Sequence, residues 1–381
     1  MQFAILIIMK LAINGWRIHG QRTGVGRYLL NVVRHWDAEM LKQTAFDKVT
    51  FYTQKPLDES DAPLPQNIEQ RVLAQEMRML LWENFRFGPT VTDDVQFCPS
   101  FSRPLIGRGR MVVTSHDAVQ HYHPEMFPPT TRIFYNPLYG WSARNADLVI
   151  TDSEAARRDI VEGWGADPKK VRVVYLAPAE SFCQAADDPR IPEVRLRHVG
   201  SVKPFFLFVG KLSGRRKIPA LFEAFGEFVK RRKGEHQLVL IGLNIHNLDL
   251  TAMLQMNGIQ SRVKVCGYVP DSDLNLLYNC CDALVMPSVY ETVSLPVMEA
   301  QRVGAPVVCI GTAAMRDITG DAALLLPKLD VTLMYEAMCQ LAESSDLRAS
   351  LALRGQENSK RFSWKKTAWQ TLQVCQEAGL A

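Results

Sequence analysis

The chain has 381 residues, with 44 Lys and Arg against 40 Asp and Glu and 47% hydrophobic residues. That length exceeds one ordinary domain and suits two. With a net charge of only +4, nothing global demands nucleic acid or a membrane, while the mild basic excess suits anionic substrates or lipid head groups. Eight scattered cysteines, none in a Cys-x-x-Cys pair, fit neither a zinc site nor a disulfide framework and imply a reducing cytoplasm.

Apolar residues 3–8 have no basic leader, are followed by Lys10 and are too few to cross a bilayer, so they read as part of a first strand. Any membrane contact is then peripheral. Met9-Lys10-Leu11 looks like a natural start, which makes residues 1–8 an expected upstream extension. From there, strand-length apolar runs alternate with helical patterns, the signature of parallel βαβ units. The first series predicts strands over 5–13, 49–52, 95–98, 111–114, 148–151 and 171–175, and helices over 26–40, 75–85, 131–144 and 153–163. Ser153 is the expected N-cap of the last helix. The aromatic run 80–87 reads as core packing in preference to an acceptor or membrane face.

Residues 177–198, with Pro178, Pro189 and Pro192, break the pattern and read as a linker. A second series predicts strands over 205–209, 238–241, 263–266, 283–286, 307–310 and 323–326, with helices beginning at Ile218, Leu248, Asp271, Leu295 and Val331. Arg231, Arg232 and Lys233 read as a solvated helix end. A final helix over 363–379 places Trp364, Ala368, Leu372 and Cys375 at helical spacing for packing on a domain surface. The expected domains are 1–185 together with 363–381, and 198–362. Both are α/β and Rossmann-like, with ligand sites beyond the carboxyl ends of the strands.

The most informative segment is Tyr290-Glu291-Thr292-Val293-Ser294-Leu295-Pro296-Val297-Met298-Glu299-Ala300, where two carboxylates flank seven residues. It follows a strand and opens a helix, with Pro296 in the first turn, where a missing N–H does no harm. Backbone amides there can hold an anion while Glu291 and Glu299 accept hydrogen bonds from hydroxyls. A nucleotide sugar satisfies both. Lys211, Arg215, Arg216 and Lys217 lie between a strand and a helix, placed to neutralise a departing diphosphate. His116-Asp117 follows another strand, and its plain reading is a structural hydrogen-bonding residue. Gly20–Gly26 precedes a helix but lacks a complete dinucleotide fingerprint, so on its own it reads as readily as a turn as it does as a ligand loop. In Gly267-Tyr268-Val269-Pro270-Asp271, Asp271 reads as a helix cap.

Taken in order, these motifs resemble the retaining GT-B glycosyltransferases of family 4 over nearly the whole chain, most specifically over 267–308. The family's usual form is Glu-Gly-Phe-Gly-Leu-Pro, two residues, Glu-Ala, so Thr292 and Ser294 stand where glycines are usual. Their bulk and hydroxyls are expected to reshape the sugar pocket. The resemblance implies a GT-B fold: two Rossmann-like domains facing each other across a cleft, with the C-terminal helix returning to the N-terminal domain. It implies that Glu291 and His116 lie at the reacting sugar. It assigns Lys211, Arg216, Gly24, Gly26, Val293, Ser294 and Leu295 to the donor diphosphate, Glu299 to the ribose, and Tyr268 and Val269 to the base.

Lys211 and Arg216 are exchanged in type relative to the family's Arg and Lys, and the two cations are not equivalent in geometry. The implied activity is retaining transfer of a hexose from a UDP- or GDP-linked donor to a saccharide or lipid-linked acceptor in cell-surface polysaccharide synthesis. No metal, no other cofactor and no nucleic-acid partner is implied. A GT-B nucleotide-sugar 2-epimerase and a non-catalytic nucleotide-sugar-binding scaffold are the alternatives. A glycosidase leaves the cationic loop unexplained.

Overall fold

Short runs of Val, Ile, Leu and Phe with no polar alternation form strands buried on both faces, as parallel sheets covered by helices require. Phe205–Val209, for example, is buried throughout. The computed structural model describes residues 8–19, 24–57, 64–232, 234–244 and 247–381. Residues 5–7 of the expected first strand, residues 20–23 of the glycine-bearing segment and Lys233 lie outside the described residues. The chain divides into two units, Met1–Leu176 with Ser363–Ala381, and Ala177–Phe362.

The first unit contains β1 (Met9–Asn14), β2 (Phe46–Thr53), β3 (Ile68–Val72), β4 (Val95–Cys98), β5 (Arg110–Thr114), β6 (Leu148–Thr151) and β7 (Val171–Val173). They form one parallel sheet in the order β3-β2-β1-β4-β5-β6-β7. The second unit contains β8 (Phe205–Val209), β9 (Gln237–Ile241), β10 (Val263–Val265), β11 (Ala283–Met286), β12 (Val307–Ile310) and β13 (Leu324–Leu326), parallel in the order β10-β9-β8-β11-β12-β13. In each sheet the direction of progression reverses once, between β1 and β4 and between β8 and β11. Loops leaving adjacent strands diverge there, opening a crevice at the carboxyl ends.

Three departures from the sequence reading have local causes. The helix expected over 26–40 is two helices, Gly24–Arg34 and Ala38–Lys42, because Asp37 is extended and its carboxylate accepts from the Met40 N–H. The helix expected over 75–85 starts at Met79 and continues through a π turn, Glu83–Phe87. Edge strand β3 was not anticipated, since only Ile68 in its Ile-Glu-Gln-Arg-Val sequence is buried.

The proline-bearing stretch 177–198 is not a free linker. It ends in the helix Ile191–His198, and Asn275 and Asn279 of the helix Asp271–Cys280 accept from the backbone N–H groups of Cys183 and Ala185. Asp273 meets His198 Nε2 at 2.8 Å and Arg197 at 3.0 Å, tying the stretch to the second unit.

The terminal helix, Trp364–Leu380, packs within the first unit. Trp36 Nε1 donates to the Ala368 carbonyl at 2.9 Å, and Thr367 Oγ1 donates to the Tyr175 carbonyl at 2.7 Å. Near its end a Cβ on Gly379 would collide with Met9, at the start of β1. Trp364 also packs against Tyr28, whose ring centroid is 6.5 Å away.

Candidate active site

In the second unit the chemistry collects at the β8/β11 reversal. The loop after β8 turns through Gly210 into the one-turn helix Gly214–Arg216, and the loop after β11 carries Glu291 into the helix Leu295–Val303. Gly210 is held beside the next loop by Gly210 N–H to Ile241 C=O at 2.8 Å, and a Cβ on Gly242 would strike the Gly210 carbonyl. Both glycines have positive φ, 143° and 147°, so no other residue fits this approach without strain. A Cβ on Gly210 would also lie 3.2 Å from Arg216 Cζ.

Glu291 and Arg216 are both buried and form an ion pair. Arg216 Nη1 lies 3.0 Å from Glu291 Oε1 but aims its hydrogen at Met286 Sδ, 2.9 Å away, so Oε1 is in charge contact without receiving an aligned hydrogen bond. Arg215 Nη1 donates to Glu291 Oε2 at 3.1 Å and to the Tyr290 carbonyl at 3.2 Å. Burial pulls the Arg216 pKa down and Glu291 opposes that shift; guanidinium groups start so basic that Arg216 stays charged. Lys211 is exposed and has no ion-pair partner among the described residues.

Pro296 occupies the first turn of the Leu295–Val303 helix, and the N-cap residue Ser294 provides no side-chain cap. Its buried Oγ has no partner among the described residues. An uncapped helix start with a spare hydroxyl is suited to an anion. One turn on, Glu299 Oε2 accepts from the buried Tyr278 hydroxyl at 3.0 Å, which fixes that carboxylate's direction. Burial, reinforced by Glu299, pushes the Tyr278 pKa well above its ordinary value, so the phenol stays a donor. Val293 lies in the connecting loop, Val269 is buried and Tyr268 is exposed after a positive-φ Gly267. The structure therefore brings Arg216, on the segment after β8, together with Glu291, Val293, Ser294, Leu295 and Glu299, on the loop and helix after β11. It adds Arg215 and Tyr278, whose roles composition could not single out.

The first unit has its own polar cluster. His116 follows β5 and Asp152 follows β6; because Thr114 pairs with Ile150, the same offset sets the two side by side. His116 Nδ1 lies 2.8 Å from Asp152 Oδ2, and the ring stands edge-on to Tyr28 and Phe101 with centroids 4.9 and 5.4 Å away. Burial disfavours protonation of His116, yet the charge and hydrogen bond of Asp152, helped by Asp117 and the Pro99 carbonyl, leave its pKa raised. Removing that carboxylate leaves burial dominant. Asp152→Asn is therefore expected to bring the His116 pKa below that of the parent in an NMR titration; an unchanged value contradicts the assigned cause.

At the β1/β4 reversal, fully buried Glu83 accepts from Asn14 Nδ2 at 2.9 Å and from Ser102 Oγ at 2.7 Å. Burial raises its pKa to about 7. The only hint in the sequence is a carboxylate inside an aromatic run. Gly24 and Gly26 belong to the first turn of the helix Gly24–Arg34, not to a loop, and Gly26 is buried.

Two family patterns account for most of the chain: residues 22–177 match the family described as "Glycosyltransferase Family 4" and residues 203–344 match "Glycosyl transferases group 1". The chain belongs to the group 1, family 4 glycosyltransferases. This glycosyltransferase is 26% identical to O-antigen chain mannosyltransferase B of Escherichia coli over 363 residues, covering 92% of this chain and 95% of that protein. It is also 26% identical to a D-inositol 3-phosphate glycosyltransferase of Corynebacterium efficiens, over 62% of this chain and 58% of the relative. Its fold is that of Anabaena HepE, solved with UDP-glucose, with a TM-score of 0.72, 17% identity, and coverage of 96% and 98% of the two chains. The two parallel sheets and the terminal helix are thus those of a GT-B enzyme.

Proposed function

We propose that this glycosyltransferase moves a hexose, with retention of configuration, from a UDP- or GDP-linked donor to a saccharide or lipid-linked acceptor in cell-surface polysaccharide synthesis. The observation that carries the proposal is the grouping at the β8/β11 reversal: a carboxylate and two guanidinium groups beside an uncapped helix start whose N-cap hydroxyl is unused. The amides of Val293, Ser294 and Leu295, with Lys211 and the Arg215–Arg216 pair, stabilise the charge that develops on the leaving nucleoside diphosphate. Glu291 accepts from sugar hydroxyls near the reacting carbon, and Glu299, aimed by Tyr278, accepts from the ribose. Tyr268 and Val269 border the base. In the first unit, Gly24 and Gly26 are proposed for diphosphate binding and His116 for the reacting sugar or the acceptor.

The mannosyltransferase relative, matched along almost its whole length, supports a hexose donor and a polysaccharide product. HepE, solved with UDP-glucose, supports a nucleotide-sugar donor. Cations and amides supply the charge compensation in this reading, so turnover is expected to survive EDTA. Complete loss on chelation, restored by a divalent cation, contradicts that part.

A thermal-shift panel of UDP- and GDP-hexoses tests the reading. A donor at a hundred times its Kd stabilises the folded state by about 2.7 kcal/mol. The responding donor is expected to be consumed only when a saccharide or lipid-linked acceptor is present. Conversion of the donor to its 2-epimer without an acceptor overturns the transferase assignment, and binding without turnover toward any acceptor favours a scaffold.

A further inference from the structure

A second concavity lies on the helical side of the first unit. The short helix Ala38–Lys42 and the terminal helix Trp364–Leu380 border a cavity of about 460 Å³, inside the roughly 300–1,000 Å³ range of pockets that hold small ligands. Its two walls are tied together, because Trp36 Nε1 donates to the Ala368 carbonyl at 2.9 Å and the Ala45 N–H donates to Gln376 Oε1 at 2.8 Å. The helix Ala38–Lys42 leads into β2, so the cleft borders the amino end of that strand. It is separate from the carboxyl-end crevice at β1 and β4.

The floor is half-buried Trp369 beside buried Met40. Helical spacing sets Lys365 and Lys366 on the same face as Trp369, and Gln43 on the same face as Glu39 and Met40. Trp36, Trp82 and Trp164 each give their indole N–H to an internal acceptor, whereas that of Trp369 has no partner among the described residues. Asp37 Oδ1 accepts from the Met40 N–H at 2.7 Å and Gln43 Nε2 donates to the Glu39 carbonyl at 3.2 Å. Asp37 Oδ2 and Gln43 Oε1 accept nothing among the described residues. Lys365 is exposed and has no ion-pair partner among them.

We propose that this cleft is a saccharide-binding site, distinct from the donor site, which holds neutral hexose units of the acceptor or product away from the reacting end. The proposal rests on the reading that the product is a polysaccharide. A sugar ring has an apolar C–H face and a rim of hydroxyls, and the cleft offers the matching parts. The Trp369 ring and the Met40 side chain form an apolar platform with a polar handle. Asp37, Glu39 and Gln43 accept from hydroxyls, while Lys365 and the Trp369 N–H donate to them. Asp37 and Glu39 on one wall balance Lys365 and Lys366 on the other, which selects a neutral ligand over an anion. An apolar protein partner would strand those charges.

The test is isothermal titration of the full chain with a neutral mannose hexasaccharide and a neutral glucose hexasaccharide, with and without saturating UDP and GDP. Wild-type protein is expected to bind at least one of them, unaffected by nucleotide. Trp369→Ala is expected to weaken that binding by at least roughly tenfold. Glu39→Ala with Gln43→Ala, both at exposed positions, should weaken it as well without disturbing the fold. Turnover with a monosaccharide acceptor should stay unchanged in both variants, and the lower KM of a long acceptor relative to a short one should disappear. Failure of the wild type to bind either hexasaccharide, while a nucleotide sugar still raises its Tm, overturns the site and leaves the transferase reading standing. Hexasaccharide binding without transfer from any donor does the reverse. Undiminished binding by both variants, or displacement of the hexasaccharide by nucleotide, places the saccharide elsewhere and overturns the proposal. So does preference for an anionic oligosaccharide that Lys365→Ala alone abolishes.

Discussion

Glu291→Gln is expected to lower turnover by about 10²–10³-fold, the range lost when one electrostatic partner is removed from a reacting centre. The same change should lower stability, because Glu291 is the counter-ion of buried Arg216. Breaking a buried ion pair by removing one partner typically costs about 3–5 kcal/mol, since the remaining charge stays desolvated. For a unit of this size that corresponds to a fall in Tm on the order of 10 °C. Arg216→Met alone should destabilise for the converse reason, although Arg215 still holds Glu291 Oε2 and limits the loss.

The double variant, Glu291→Gln with Arg216→Met, separates the two roles. Replacing both members of a buried pair removes the stranded charge, so most of the lost stability should return while turnover stays low. Recovery of both together would make Glu291 a structural residue. Turnover of the single Gln variant within about threefold of wild type would remove it from the chemistry.

The second large effect concerns pH and Glu83. Its pKa is raised from 4.5 to about 7 by burial, so between those values the folded state binds a proton that the unfolded state has released. Stability from this group is fully present below the unfolded value and is lost as pH rises through the folded value. A difference of this size is worth roughly 3 kcal/mol at 1.36 kcal/mol per unit. Asn14 and Ser102 donate to the carboxylate and Arg17 favours it electrostatically, all three limiting the shift that burial causes.

Glu83→Gln keeps the shape and cannot ionise. Urea midpoints from pH 5 to pH 9 should show the variant gaining on the wild type by roughly 3 kcal/mol as pH rises. A constant gap between the two curves contradicts a buried, titrating Glu83.

What the sequence disclosed and what it hid follow from range. Strands were legible because a fully buried parallel strand is a short apolar block; β4, β6, β8, β11 and β12 match the blocks end for end. β3 escaped because an edge strand with one buried residue carries no such block. The Glu291–Glu299 motif was legible because its parts are local, a loop and the first turns of one helix. Partners from other elements were not. Arg215 was one cation among four until the β8 and β11 loops were seen side by side, and nothing local in the sequence ties Asp152 to His116; the β5–β6 register does.

The aromatic run 80–87 was read as one environment, yet it has two. Trp82 and Phe87 enter the core while Leu81 and Phe85 face out, and a π turn over Glu83–Phe87 shifts the helical period that a sequence reading assumes. The proline-bearing stretch 177–198 misled for a related reason. Proline marks a break in regular pairing, but side-chain amides from the distant Asn275 and Asn279 hold this irregular backbone in place.

The most direct measurement is a structure with an intact UDP- or GDP-hexose bound under conditions where transfer is blocked. The pyrophosphate is expected beyond the carboxyl ends of β8 and β11, within hydrogen-bond distance of the Ser294 and Leu295 amides and close to Lys211. Glu291 should turn from its arginines toward the sugar, and Glu299 should accept from the ribose. A donor bound elsewhere, or one that leaves the Ser294–Leu295 helix start unoccupied, would contradict the account.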